Sequence, residues 1–200
     1  MSIVRRVKGD VRKGDLSTTT NWKRRSCVCA ELNRKAFENL SYGLYIVTSR
    51  HDNRFNGQVV NTVIQVTSDP PRVAVIINKK NLTHEYIFQS QLFGVSVLEE
   101  TAPLAFFGPF GFRSGREYDK LSKVQFKEGT TGCPLVTQYT LSVLEAKVIE
   151  RIDVGTHTVF IGDVVSSEVL KEGKPLTYHY YREYLKGKPS QYSPTYTPTK

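Results

Sequence analysis

Two strand-like segments, each longer than ten residues, follow one another near the C-terminal end of this 200-residue chain. They cover residues 141–152 and 156–170 and are rich in Val, Ile and Thr, the residue types that favour extended backbone. Strands of this length, in a chain with few helical segments, indicate a closed or nearly closed antiparallel barrel.

Shorter strand-like runs precede this pair, and helical segments are few. β-branched and aromatic residues mark strands at residues 43–50, 58–67, 72–78 and 92–98. Apolar residues at helical spacing predict short helices near residues 31–40, 84–91, 103–107 and 116–121. The regular alternation of strand and helix that builds parallel sheets is missing from the sequence. We therefore expect one mainly β, antiparallel domain with a few short helices.

The formal net charge of +9 is concentrated at the N-terminal end. Residues 1–26 contain eight Lys or Arg against two Asp, a surplus of six positive charges. This segment has no hydrophobic periodicity, so we expect residues 1–29 to be a flexible basic extension and residues 30–200 to form the domain. The same composition also suits binding to nucleic acid or a targeting role, and the sequence leaves these alternatives open.

The cysteines and the hydropathy pattern bear on location and on metal binding. Three cysteines in 200 residues do not make a disulfide framework, which predicts a reducing, cytoplasmic setting. The longest aliphatic run, residues 73–77, is far shorter than the roughly 20 residues that span a bilayer, so we expect no membrane partner. Cys27 and Cys29 lack the paired ligands of a metal site, so we expect free thiols and no metal. Cys133 lacks an evident base, so we expect a loop or packing residue rather than a nucleophile.

Residues 78–85, NKKNLTHE, join the end of a strand to the start of a helix. Thr83 stands where a helix N-cap is expected, with its hydroxyl available to an unpaired backbone N–H. A helix N-terminus favours a phosphate, because it presents free N–H groups and the positive end of the helix dipole. Lys79 and Lys80 add positive charge, so this corner is a candidate phosphate site.

Small polar residues on the preceding segment suit a second part of the same ligand. Thr67 and Ser68 come directly before Asp69-Pro70-Pro71, a sequence that predicts a tight turn. Asn61 and Thr62 lie further back, where small side chains and backbone N–H groups suit the edge of a flat heteroaromatic ring. Together the two segments favour a ligand with a phosphate at one end and a planar polar ring at the other, that is, a nucleotide cofactor.

Four segments, in this order, resemble the flavin reductase-like family with an FMN-binding split barrel: LSYGLYIVTSR, FNGQVVNTVIQVTSDPPRVAVIINKKNLTHEYI, FGVSVLEETAPLAFFGPFGFRSGREYDK and LTYHYYREYLKGKPSQYSPTY. The likeness extends over residues 30–196 and is greatest to flavoredoxins and to the flavin domain of high-molecular-weight rubredoxins. It implies a six-stranded antiparallel split barrel, a homodimer, and FMN held near the subunit interface.

The resemblance also implies a set of cofactor contacts. In matching positions, the implied ring contacts are Asn61, Thr62 and Val63, and the implied ribityl and phosphate contacts are Thr67 and Ser68. The remaining implied phosphate contacts are Lys79, Asn81 and Thr83. The segment that closes over the site would contribute Ser114 and Gly115. The implied activity is oxidoreduction, with electrons passing from NAD(P)H or a protein donor through FMN to free flavin, a metal complex or a redox partner protein. Because the cofactor carries that chemistry, no catalytic side chain is predicted.

Two features bear on the electron donor. Relatives commonly have Gly-His-Phe-Gly-Phe where this chain has Pro109 in place of the histidine, so FMN binding is better supported than direct NAD(P)H oxidation. The sequence also lacks a G-x-G-x-x-G fingerprint, which split-barrel reductases do not need. His84, next to the predicted cap, is expected either to face the cofactor or to point into solvent.

Two alternatives stay open at this point. One is an FMN electron carrier without enzymatic turnover, working between a donor and an acceptor protein. The other is a nucleic-acid-binding β-barrel, which the basic extension would suit. The second is disfavoured because the predicted strands do not interleave aromatic residues with Lys and Arg.

Overall fold

The computed structural model describes residues 33–196. The predicted basic extension, residues 1–29, lies outside the described residues, as do Cys27 and Cys29. In the described part, a short 3-10 helix spans Arg34–Asn39. The strands are β1 (Tyr45–His51), β2 (Arg54–Val60), β3 (Val63–Ser68), β4 (Pro71–Asn78), β5 (Leu92–Leu98), β6 (Phe126–Glu128), β7 (Pro134–Val136), β8 (Thr140–Asp153) and β9 (His157–Val169). The α-helices are α1 (Leu82–Ser90), α2 (Leu104–Phe112) and α3 (Tyr178–Glu183).

Seven of these strands form one antiparallel sheet in the order β2-β1-β5-β8-β9-β4-β3, and β6 pairs with β7 in a separate hairpin. The two long segments form β8 and β9, which pair with each other along most of their length. The predicted mainly β, antiparallel split-barrel class is therefore confirmed. The main sheet has one strand more than the six expected.

The extra strand arises where the sequence predicted one continuous run over residues 58–67. The chain instead leaves β2 after Val60, turns at Asn61 and Thr62, and starts β3 at Val63. The Val and Ile residues on both sides of Asn61 and Thr62 favour a strand and no Gly or Pro separates them, so the local pattern does not reveal the break. The prediction of a helix over residues 116–121 was also wrong, since this stretch consists of turns and bends.

Two turns determine how the elements around the site are arranged. The hairpin between β3 and β4 pairs Ser68 with Pro71, so Asp69 and Pro70 form the predicted tight turn. Helix α1 then follows β4 after a short connection and packs on β1. At its C-terminal end, Gln91 adopts the left-handed conformation with φ of 58°, which stops the helix before β5.

Two buried clusters form the core. One lies among β4, β5, β9 and α1 and contains Phe93 and Phe160. The other joins α2 to the C-terminal part of the chain and contains Phe107, Phe110 and Leu121. The first cluster is mainly aliphatic and the second is rich in aromatic rings, and burial of both supplies much of the favourable free energy of folding.

A buried carboxylate organises the β6–β7 hairpin. Glu145 on β8 is 1% exposed and accepts hydrogen bonds from the backbone N–H and the hydroxyl of both Thr130 and Thr131. Although burial acts to raise the pKa of Glu145, these four donors outweigh it and hold the pKa below its usual value. Gly129 completes the loop, because a Cβ there would lie 2.2 Å from the Glu145 carboxyl carbon.

Helices capable of spanning a bilayer do not occur among residues 33–196.

Candidate functional site

A cleft of about 700 Å³ opens beside the main sheet, and we call it the main cleft. Its walls come from β2, the N-terminal end of α1, the C-terminal end of α2, the following loop at residues 113–120, and residues 189–196. A volume of this size is typical of a cofactor or substrate site. Segments far apart in the sequence therefore meet at one concave surface.

The start of α1 forms one end of the main cleft. Asn81, and not Thr83, is the N-cap residue, and its side chain makes no capping hydrogen bond. The predicted N-cap at Thr83 was wrong by two residues, because the helix already begins at Leu82. Thr83 instead lies fully buried in the first turn, where its hydroxyl accepts a 2.8 Å hydrogen bond from Nδ2 of Asn56.

A glycine of the 113–120 loop packs directly on this pair. A Cβ at Gly115 would lie 2.0 Å from Oδ1 of Asn56, far inside any allowed contact. Only a residue without a side chain fits here unless the buried amide moves. Gly115, Asn56 and Thr83 therefore join the loop, β2 and α1 into one polar corner of the cleft.

The charge of the main cleft is strongly positive. Among its described lining residues, four are cationic and one is anionic: Lys80, Arg113, Arg116 and Lys120 against Glu117. The Arg113 guanidinium lies 4.6 Å from the Tyr118 ring centroid, and Arg116 donates to the Glu85 carboxylate of α1, which raises the pKa of Arg116. An excess of this kind attracts an anionic ligand.

Lys120 differs from the other three cations because it is buried. Its side chain is only 7% exposed, and burial lowers its pKa from 10.5 to about 8. Burial is the sole cause of this change, so no neighbouring charge offsets it.

Neutral polar groups form the rest of the wall. Oε1 of Gln58 on β2 is enclosed and has no hydrogen-bond partner in the described part of the chain. Nδ2 of Asn61 donates a 3.1 Å hydrogen bond to Oγ1 of Thr195, which holds residues 189–196 against the cleft. A second contact at 3.2 Å joins Nε2 of His157 to the carbonyl of Tyr192.

The structure brings five of the ten predicted contact residues to the main cleft, namely Asn61, Asn81, Thr83, Ser114 and Gly115. The other five lie outside its lining: Thr62, Val63, Thr67, Ser68 and Lys79. Thr62 precedes β3, Val63, Thr67 and Ser68 lie on β3, and Lys79 is the first residue after β4, so these five residues follow the β3–β4 hairpin.

Among the polar residues outside the lining, Thr62, Thr67 and Lys79 each have a partner of their own. The hydroxyl of Thr62 donates to the carbonyl of Ile76 at 3.1 Å, and that of Thr67 donates to the carbonyl of Pro70 at 2.5 Å. Nζ of Lys79 lies 2.6 Å from the Asp153 carboxylate and lowers the pKa of Asp153. Lys79 and its neighbour Lys80 therefore point to different surroundings, and only Lys80 lines the cleft.

The prediction that His84 points into solvent was wrong, whereas the alternative that it faces the cofactor stays a prediction. Its side chain is 9% exposed and is not part of the cleft lining, because its Nε2 pairs with Oγ1 of Thr158 at 2.8 Å. Burial and, to a smaller extent, Lys79 lower the pKa of His84. Cys133 is fully buried, which raises the pKa of its thiol and confirms it as a packing residue.

Sequence reasoning missed three groups of cleft residues. These are Asn56 and Gln58 on β2, the cations Arg113, Arg116 and Lys120, and the segment 189–196. The spacing of Asn56 and Gln58 was a usable signal, because residues two apart on a strand share one face. The density of basic residues in FRSGREYDK was another. No local signal reports the contact of residues 189–196, since it joins positions 134 apart in the chain.

A second cleft, of about 720 Å³, lies on the other side of the 113–120 loop. Its walls carry four aromatic rings, those of Phe55, Tyr86, Tyr118 and Phe126. Gly115, Arg116 and Glu117 line both clefts, so this part of the loop is a shared partition.

Across residues 33–196, no three His, Cys, Asp or Glu side chains approach closely enough to hold a metal ion.

The split-barrel sheet and the basic cleft with its neutral amide wall define a class of protein, the flavin-dependent oxidoreductases. The chain belongs to the flavin reductase like domain family, whose model matches residues 37–187. It is a flavin reductase-like oxidoreductase and uses a flavin cofactor.

Named relatives support this assignment over most of the chain. The chain is 48% identical over 166 residues to the high molecular weight rubredoxin of Moorella thermoacetica, covering 83% of this chain and 72% of that protein. It is 49% identical over 166 residues to the ferric-chelate reductase (NAD(P)H) of Archaeoglobus fulgidus, covering 83% and 98%. Among solved structures, the NADH:FAD oxidoreductase of Streptomyces globisporus C-1027, in complex with NAD and FAD fragments, superposes with a TM-score of 0.64 at 25% identity, covering 72% and 84%.

Proposed function

We propose that the main cleft binds FMN, and that the chain uses it to oxidise NADH or NADPH and to reduce a ferric chelate, free flavin or a redox partner protein. The observation that carries this proposal is the combination of an anion-attracting lining with neutral amides in one cleft. Bound FMN supplies the ability to accept a hydride and to release its two electrons one at a time. The protein supplies binding, orientation and the exclusion of water.

The start of α1 suits the phosphate of FMN. Within the first helical turn, the N–H of His84 donates to the carbonyl of Asn81 at 3.0 Å, the N–H groups of Leu82 and Thr83 have no acceptor within the helix, and the helix dipole is positive at this end. Lys80 is exposed beside them and the side chain of Asn81 is not used as a cap. Thr83 is held in place by Asn56, so its position does not depend on the ligand.

The deeper wall suits the ring. Gln58 presents an amide whose Oε1 lacks a partner, and the imide N–H of a flavin ring is a matching donor. Phe110 and Phe112 also line the cleft, and they are 2% and 58% exposed. A flat ring with one polar edge would satisfy both the apolar and the polar parts of this wall.

The electron donor and acceptor are proposed from the relatives. The Archaeoglobus protein is named for reduction of ferric chelates by NAD(P)H, and the Streptomyces protein was solved with NAD and FAD fragments. Transfer of one hydride from the nicotinamide would release enough electrons to reduce two ferric ions.

The experiment is a visible absorption spectrum of the purified protein, followed by chromatography of the flavin released on heating. Anaerobic addition of NADH, then NADPH, then a ferric chelate tests the donor and acceptor. We expect a yellow protein that releases FMN, is bleached by a reduced pyridine nucleotide and recovers its colour with the ferric chelate. A colourless protein that takes up neither FMN nor FAD would refute the cleft assignment. Release of FAD would correct the cofactor, and a yellow protein that neither nucleotide bleaches would indicate a protein donor.

We also propose a homodimer with β3 at its interface. This edge strand pairs only with β4, and its side chains Ile64 and Val66 are 60% and 44% exposed. Exposed apolar residues on an unpaired strand edge favour association with a second chain. Light scattering after size-exclusion chromatography should give twice the chain mass, and a dimer that persists in the Ile64→Lys/Val66→Lys variant would contradict this interface.

A cytoplasmic location is likewise a proposal, based on the cysteine content.

A further inference from the structure

Lys120 is a buried cation without an anionic partner. It is 7% exposed, and none of the ion pairs in the described part of the chain includes it. Its lowered pKa has burial as its only cause, which agrees with the absence of a neighbouring carboxylate in that region. A charge in such surroundings is costly, and natural proteins bury lysines almost only when they are paired.

The ammonium group of Lys120 keeps contact with the main cleft. The enclosed side-chain polar atoms that lack a partner, within the described residues, are Oε1 of Gln58 and Oγ of Ser96. Nζ of Lys120 also makes no hydrogen bond there, yet it is not enclosed. Lys120 lines the main cleft, and long charged side chains bury their stems while the charged tip keeps to open space. A ligand in the cleft is therefore the available partner for this ammonium.

The depth of Lys120 indicates which part of the ligand it faces. Lys80, Arg113 and Arg116 are exposed at the rim of the cleft and suit a strongly hydrated phosphate. Lys120 instead precedes Leu121, which belongs to the same buried aromatic cluster as Phe110. Phe110 is 2% exposed and lines the cleft, and Lys120 adjoins this cluster through Leu121, which favours the ring over the phosphate as its contact.

A flavin ring gains negative charge at its pyrimidine edge when it accepts a hydride, whereas its phosphate has the same charge in both states. A fixed cation at this edge stabilises the reduced form more than the oxidised form, and a low local dielectric strengthens the effect.

We propose that Lys120 contacts the pyrimidine edge of the bound flavin and stabilises the reduced ring over the oxidised ring. The proposal rests on the proposed function, since it requires the flavin to occupy the main cleft. Lys120 thereby acts as a redox-tuning residue, whose effect is measured in the two redox states of the cofactor.

The test compares the affinity for FMN in both states. Wild-type protein, Lys120→Met, Lys120→Gln and Lys120→Arg are titrated with FMN in air, and with dithionite-reduced FMN under anaerobic conditions. The midpoint potential of the bound flavin is measured in parallel. Lys80→Met is the matched control, because Lys80 is an exposed lysine that lines the same cleft.

We expect Lys120→Met and Lys120→Gln to bind oxidised FMN within about threefold of wild type and reduced FMN at least tenfold more weakly. A tenfold loss of affinity for reduced FMN relative to oxidised FMN lowers the two-electron midpoint potential by about 30 mV. Lys120→Arg should keep at least half of the wild-type preference for reduced over oxidised FMN, since it retains the charge. Lys80→Met should weaken both states by the same factor and leave the potential unchanged.

Equal weakening of both states by Lys120→Met would overturn the proposal and assign Lys120 to the phosphate. Unchanged affinity in both states would overturn it as well. Neither result would affect the proposed function, because FMN would still bind. A wild-type protein that binds no flavin would instead refute the proposed function. The Lys120→Gln variant keeps the test decisive if Lys120→Met does not fold.

Discussion

Replacing Lys120 by Met is expected to stabilise the flavin-free protein, although the residue lies in the cofactor site. The pKa of Lys120 falls from 10.5 in the unfolded chain to about 8 in the folded protein. Each unit of difference is worth about 1.36 kcal/mol, so the charged lysine costs the folded state about 3 kcal/mol at pH 7. Met fills a similar volume without the charge, and the cost disappears.

The sign of the pH dependence follows from the same values. Below pH 8 both states hold the proton and the full cost is present. Between about pH 8 and pH 10.5 the unfolded chain binds more protons than the folded protein, so the free energy of unfolding of the wild type rises with pH. Lys120→Met lacks this rise, and its advantage should shrink towards zero near pH 10.5.

Urea unfolding of flavin-free protein, followed by fluorescence between pH 6.5 and pH 10.5, measures this difference. Lys147→Met serves as the control, because Lys147 is an exposed lysine on β8 and does not line either cleft. Its unfolding free energy should follow that of the wild type at every pH. If the difference in unfolding free energy between wild type and Lys120→Met stays constant from pH 6.5 to pH 10.5, the ammonium is not buried as described and the reasoning fails.

Three further substitutions test the packing. Gly115→Ala should weaken FMN binding about tenfold, or about 1.4 kcal/mol, because its Cβ would lie 2.0 Å from Oδ1 of Asn56; an unchanged dissociation constant in equilibrium dialysis would contradict this. Thr83→Ala removes the acceptor of the Asn56 amide and should weaken FMN retention, with a loss of about 1–2 kcal/mol in unfolding free energy; full retention would rule out a phosphate site here. Glu145→Gln should lower the free energy of unfolding by about 2 kcal/mol at pH 7. The pKa of Glu145 in the folded protein lies below its usual 4.5, so the wild type loses this advantage as the pH falls through the unfolded and then the folded pKa. A difference in unfolding free energy between wild type and Glu145→Gln that stays constant in acid would refute the prediction.

Local signals in the sequence predicted the elements that depend on neighbouring residues. Pro70 and Pro71 fix backbone angles by themselves, so the β3–β4 turn was predictable without its surroundings. The pairing of β8 and β9 was equally accessible, because length and β-branched content are local properties. The break between β2 and β3 was not, since β-branched residues flank Asn61 and Thr62 on both sides and no Gly or Pro marks the turn.

The candidate site was only half predictable for a related reason. Lys79 and Lys80 are indistinguishable in the sequence, and only the fold brings Asp153 of β8 to one of them. The burial of Lys120 depends on the cluster around α2, which residues near it in the sequence do not reveal. The family resemblance named Ser114 and Gly115 but not the cations of the same loop. Short-range patterns therefore identified anchoring residues, while long-range packing determined the electrostatics.

The partition formed by Gly115, Arg116 and Glu117 has a thermodynamic consequence. These residues line both clefts, and Arg116 is tied to Glu85 on α1. A molecule that shifts the partition from one side changes the shape available on the other. Linkage requires such an effect to be reciprocal: an occupant of the second cleft that changes flavin affinity by some factor has its own affinity changed by the same factor when the flavin binds. If an occupant moves the partition, the affinity of either cleft is defined only when the occupancy of the other is stated.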